Sequence, residues 1–146
     1  MITDSIEVER KPEDVFAYLD ALDRHGEWQS QIVGVRVETE GPTRVGTRVV
    51  ETRSIQGREQ QIPYEVTAHD PPRTSSFRGT AGPVRPVGTV TVEPVGDGSR
   101  SRVTIELDLE GHGFLGMLFA PLARRQARKQ VPQDQAKLKQ RLESEA

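Results

Sequence analysis

The chain has 146 residues, 20 Lys and Arg against 22 Asp and Glu, and no Cys. That length fits one domain spanning residues 1–146, and near-zero net charge gives no global drive towards nucleic acid or an anionic membrane. Without Cys there are no disulfides, thiolate metal sites or Cys nucleophile, and no apolar run approaches the roughly 18 residues of a bilayer span. The first residues, MITDSIEVER, lack the basic and apolar regions of a signal peptide, so a cytoplasmic protein is expected.

The first stretch alternates, with Ile2, Ile6 and Val8 on one parity and Thr3, Ser5, Glu7 and Glu9 on the other, the pattern of a half-buried strand. Pro12 followed by Glu13 and Asp14 signals a helix start, and Val15, Phe16 and Leu19 continue at helical spacing. A brief second helical turn is predicted over residues 21–27, before Trp28.

From there the pattern is β. Thirteen of the sixteen Val lie between Val33 and Val103, in keeping with the strand preference of β-branched side chains. Val33, Val35 and Val37 alternate with Gly34, Arg36 and Glu38, and Gly41-Pro42 turns into a strand over about 45–55. Past Gly57, Ile62, Tyr64, Val66 and Ala68 form an alternating face that Asp70-Pro71-Pro72 ends, and Phe77 sits in a short strand before Gly82-Pro83. Strands at 88–95 and 100–110 flank Gly96-Asp97-Gly98, a hairpin signal. In the last, Val103, Ile105, Leu107 and Leu109 are predicted to face the long C-terminal helix while Glu106 and Asp108 meet solvent. One wet face and one buried face mean an antiparallel sheet.

Residues 114–145 read as one long helix. Met117, Ala120, Ala127, Val131, Leu138 and Leu142 form its stripe, Leu115, Leu118, Phe119 and Leu122 add apolar surface around its first turns, and Pro132 predicts a kink. The order is β, two short helices, six β, long α. This is an α+β fold in which a seven-stranded curved antiparallel sheet grips one C-terminal helix. Small residues at Ala120, Ala123 and Ala127 leave a gap against the sheet, so an internal apolar cavity is expected.

SIEVERKPEDVFAYLD and the lone Trp28 resemble the opening of the START-like, helix-grip superfamily often called SRPBCC. YEVTAHDPPRTSSFRG resembles the strand–Pro-Pro–strand passage of its polyketide cyclase/dehydrase branch, and the ending QAKLKQRLES fits its final helix. The resemblance implies the helix-grip fold and a ligand cavity. Members include lipid-transfer proteins and aromatic polyketide cyclases, with no shared catalytic motif to carry over. Trp28 and Arg78 match positions often aromatic or polar near that cavity.

Several constellations carry chemistry or its imitation. Gly111-His112-Gly113-Phe114-Leu115-Gly116 matches a dinucleotide fingerprint, but that fingerprint needs a second parallel strand after the helix. A flexible strand-to-helix turn near the cavity mouth is the reading. His25, His69 and His112 are too scattered for a zinc site, so no metal and no cofactor are expected, and the histidines are placed on surface or loops. Arg124, Arg125, Arg128 and Lys129 form a basic cluster. Residues 111–146 carry seven basic and three acidic side chains against five and ten in residues 1–45, so a solvated face complementing an acidic third is expected, without nucleic acid. Glu51 and Arg53 share parity with Val49 and Ile55: facing inward they are a buried pair and a site candidate, facing outward an ordinary surface pair, and the shared parity tilts the reading inward.

The function expected is binding of an apolar or aromatic, lipid- or polyketide-like small molecule. Val33, Val35, Val66, Phe77, Leu107 and Ala123 would form the wall, Trp28 and Tyr64 would orient the ligand, and Arg78 or Glu51 and Arg53 would supply polar contacts. The alternatives are a cofactor-free cyclase or dehydratase using the same cavity, and a protein-interaction module. A monomer or homodimer without stable membrane insertion is expected.

Overall fold

A computed structural model describes residues 1–144. Strand β1 (Ile2–Val8) leads to helix α1 (Pro12–Asp20) and a 3-10 turn (Leu22–Glu27). Six strands follow: β2 (Ile32–Val37), β3 (Arg48–Ile55), β4 (Arg58–Asp70), β5 (Thr74–Gly79), β6 (Val84–Val95) and β7 (Arg100–Gly111). Helix α2 (Gly113–Ser144) closes the order and runs through Pro121 and Pro132. The sheet is antiparallel throughout, ordered β1-β7-β6-β5-β4-β3-β2. This is the helix-grip fold.

Local chemistry explains the elements. α1 starts on Pro12 with Glu13 and Asp14 in its first turn, where a missing N–H costs nothing and carboxylates meet the positive helix end. It buries Val15, Phe16, Tyr18 and Leu19. These pack with Val8, Trp28, Val92, Val103, Leu138 and Leu142 into the main core cluster, with Ile105 against it. The inward parity of β7 is therefore the one its alternation predicts. The two acidic residues expected in solvent are both half-buried: Asp108 accepts from Arg124 of α2 at 3.3 Å, and Glu106 borders the space beneath α2.

The C-terminal half of α2 is clamped onto β1 and β7. Leu138 is fully buried, and Gln135 sends its amide to the Val103 and Asp4 carbonyls at 3.2 and 3.3 Å. In its other half the stripe faces inward at Ala120, Ala127 and Val131 and fails at one position. Met117 is exposed, and Gly116 is the buried residue of that turn. A Cβ on Gly116 would meet the Pro83 carbonyl oxygen at 2.1 Å, and Pro83 also accepts from the His112 backbone at 2.7 Å. The glycine-rich 111–116 segment is thus a tight crossing of helix over sheet rather than a flexible turn, and it turns Met117 and Leu118 outward.

A second cluster, Leu22, Val49, Tyr64 and Val66 with Val35 and Phe77 against it, lies across β3, β4 and β5. Between the two clusters the first half of α2 stands off the curved sheet.

Candidate functional site

The space left there is a cavity of about 750 Å3, inside the range of roughly 300–1,000 Å3 usual for small-molecule sites. α2 contributes Ala123, Ala127 and Val131, and the sheet contributes Ile62, Val66, Phe77, Val90, Leu107 and Leu109. Lining residues that are also exposed (Gln56 of the β3–β4 turn, Arg58 at the start of β4, Ala81, Gly82 and Pro83 of the β5–β6 loop, Phe119 and Leu122 of α2) place its mouth at the start of α2.

Several polar groups gather at one end of a mostly apolar chamber, whose wall elsewhere also includes Ser75, Thr89, Glu106 and Gln126. Arg53 donates through Nε to Glu51 Oε1 at 2.7 Å and through Nη1 to Gln31 Oε1 at 3.3 Å, and Nη2 bonds the Gln29 side-chain oxygen. Three of the guanidinium's five N–H donors thus go to protein acceptors, and its charge is matched by the buried Glu51 carboxylate. Tyr64 lines the same end and packs on Phe77 with ring centroids 5.2 Å apart. Burial, then the Glu51 charge, pushes its phenol pKa up, so it stays a neutral hydroxyl. That hydroxyl has no hydrogen-bond partner among the described residues, and neither does the buried Trp28 indole N–H.

His25 also lines the cavity, edge-on to Trp28. Its Nε2 donates to the Leu19 carbonyl at 2.7 Å. Burial lowers its pKa below the ordinary 6.5, outweighing that hydrogen bond, so the ring is neutral and Nδ1 is left as an acceptor. Asp134 of α2 lines the cavity as well. Desolvation raises its pKa, against the partial relief of a 2.8 Å bond from Gln130.

The His25 shift has a measurable consequence. Below pH 6.5 the unfolded chain binds a proton that the folded ring resists, so this residue's contribution to stability is lost as pH falls through that window. His25→Gln should therefore flatten the fall of the urea midpoint on acidification below pH 6.5. An unchanged profile would mean that the ring is solvated.

Of the site residues expected from sequence, Trp28, Glu51, Arg53, Tyr64, Val66, Phe77, Leu107 and Ala123 line the cavity. Arg78 does not. Its side chain is 57% exposed and pairs with Glu110 at 3.2 Å, because Phe77 points inward and successive strand residues alternate. Val35 packs into the second cluster with Leu22 without reaching the cavity, and Val33, beside a register shift between Ile32 and Gly34, is 57% exposed. His69 is also not where simple alternation puts it. A bulge in β4 between Val66 and Ala68 inverts the parity, and His69 Nε2 meets both Asp20 carboxylate oxygens at 3.0 Å. Sequence reasoning missed His25, Gln29, Gln31 and Asp134. Only Asp134 left a signal, an acid on the buried stripe between Val131 and Leu138.

The family model described as polyketide cyclase / dehydrase and lipid transport matches residues 1–143. The chain belongs to that family. An uncharacterized protein of Mycobacterium tuberculosis strain H37Rv is 29% identical over 121 residues, 82% of this chain and 83% of that protein. Among solved structures, a START superfamily protein from Mycobacterium smegmatis is similar with a TM-score of 0.80 and 15% identity, covering 99% of this chain and 98% of that one. An aromatase/cyclase from Streptomyces sp. R1128 gives 0.74 and 15%, over 99% and 91%. At such identities the two structures speak for the fold, which this member of the polyketide cyclase / dehydrase and lipid transport family shares with them. No described helix is long and apolar enough to cross a membrane.

Proposed function

We propose that the protein binds an apolar or aromatic small molecule, lipid- or polyketide-like, in the cavity between sheet and α2. The observation that carries this reading is the combination of about 750 Å3, a mostly apolar wall and one polar end. Arg53 gives three of its five N–H groups to Glu51, Gln29 and Gln31 and its charge is matched by Glu51, so an anion finds no uncompensated cation there. Tyr64 has a donor to offer and His25 an acceptor, while the Trp28 N–H is closed off by its own burial. The ligand this end suits carries a neutral hydroxyl or carbonyl beside its apolar body, since an unmet buried polar group costs about 1–3 kcal/mol.

Trp28 is the only Trp, so it reports the site. Its emission should shift as 1-naphthol is titrated in, and Ala123→Phe should abolish the shift while the domain still folds. The new ring would enter empty space, so its cost should fall below the roughly 1–3 kcal/mol of overpacking a tight core. Unfolding, or undiminished binding, would mean that the proposed ligand does not sit under Ala123.

His25 and Asp134 favour a second reading, a cyclase or dehydratase type of enzyme. A neutral imidazole with an open acceptor and a carboxyl biased towards its protonated form are a base and an acid in one chamber. That reading requires a bound polyketone to be recovered chemically changed, whereas a binding protein returns it intact.

A further inference from the structure

The first turns of α2 expose what such a helix ordinarily hides. Phe114, Leu115, Met117, Leu118, Phe119 and Leu122 keep 46–82% of their surface accessible. Contiguous exposure of this kind on a soluble domain marks an interaction site. The next turns change character. From Gly113 to Gln133 the helix contains no Asp or Glu, and it carries Arg124, Arg125, Arg128 and Lys129. Arg124 is held by Asp108, but Arg125, Arg128 and Lys129 are exposed and have no acidic partner among the described residues.

Helical spacing aligns the two characters. Leu118, Leu122, Arg125 and Lys129 follow at steps of four, three and four, so they share one line along the helix. That line is opposite Ala120, Ala127 and Val131, which face inward. The same end of α2 borders the cavity mouth, because Gly116 is seated on the Pro83 carbonyl and Phe119 and Leu122 line the cavity themselves.

We propose that the N-terminal half of α2 docks the protein reversibly on an anionic lipid bilayer. The apolar first turns enter the boundary between headgroups and acyl chains, and Arg125, Arg128 and Lys129 rest at the level of the phosphates. Charge decides between occupants. A second copy paired on this face brings no acid between Gly113 and Gln133 of its own helix to meet the cationic row, whereas an anionic surface neutralises it. Docking alone does not depend on the function proposed above. Exchange of a ligand between bilayer and cavity does, and ligand binding is read separately by Trp28.

The test uses vesicles of phosphatidylcholine with and without roughly 30% phosphatidylglycerol, and co-sedimentation of the full chain. Anionic vesicles should bind at least about tenfold more tightly than neutral ones, and added salt should weaken the difference. Leu118→Glu, at an exposed position outside the cavity lining, should weaken binding to anionic vesicles by about tenfold or more, with circular dichroism and the 1-naphthol response of Trp28 unchanged. Arg125→Glu/Lys129→Glu should remove the preference for phosphatidylglycerol. Indifference to both vesicle types would overturn the proposal. So would vesicle binding that Leu118→Glu leaves intact, which is adhesion by charge alone. A dimer in solution that Leu118→Glu dissolves, without vesicle binding, would assign the face to a second copy instead.

Discussion

Replacing Arg53 with Met should destabilise the fold by about 3 kcal/mol, because it strands the Glu51 carboxylate without its partner. Glu51 is buried at the cavity's polar end, and Arg53 is its only ion-pair partner among the described residues. The same substitution removes the donors that Gln29 and Gln31 accept from. Most of the cost lies in the orphaned charge, not in the pair's net worth. The double substitution Glu51→Leu/Arg53→Met should therefore recover to within about 1 kcal/mol of the parent. Urea unfolding of the three variants and the parent measures both. A single-variant loss under about 1 kcal/mol would mean that water in the cavity solvates Glu51 and that the pair behaves as an exposed one.

Leu138→Ala should cost about 3–4 kcal/mol. Leu138 has no accessible surface and sits where α2 meets Val8, Val15, Phe16, Val92 and Val103. Four elements converge there, so the site has little freedom to collapse around the lost atoms, and transfer and cavity terms add. Leu118→Ala removes the same atoms from the same helix at a position that is 61% exposed, and it should change stability by less than about 0.5 kcal/mol. Urea midpoints of the two variants compare them directly. Equal losses would contradict the division of α2 into a clamped half and a projecting half.

How much of this was legible in the sequence depends on whether neighbouring residues carried the signal. Val103, Ile105, Leu107 and Leu109 announced their face because alternation is a local property, and Pro12-Glu13-Asp14 announced a helix start for the same reason. Of the small residues that pointed to the cavity, Ala123 and Ala127 line it, while Ala120 is buried without reaching it. Val49 and Ile55 on the same parity only tilted Glu51 and Arg53 inward, and the structure decides it by burying Glu51.

What local pattern does not carry was misread. One extra residue in β4 reverses the parity after Val66 and moves His69 from the wet face to Asp20. Arg78 followed a resemblance, and alternation beside the inward Phe77 overrules it. The rotation of the first turns of α2 is set by Gly116 against Pro83, a contact 33 residues apart in the chain, so Met117 could not be distinguished from a core residue by spacing. Gln29 and Gln31 acquire their role only from where the guanidinium of Arg53 arrives. Asp134 is the exception. A carboxylate on the stripe that buries Val131 and Leu138 was visible, and it marks the polar end from the helix side.

The central claim is that the chamber under α2 holds an apolar small molecule, and native mass spectrometry of freshly purified protein tests it most directly. The account predicts an adduct on the folded chain that collisional activation releases as a small neutral compound, or that forms stoichiometrically on incubation with 1-naphthol, and that Ala123→Phe lacks. A bare chain mass both as purified and after incubation, with the fold intact, would contradict it.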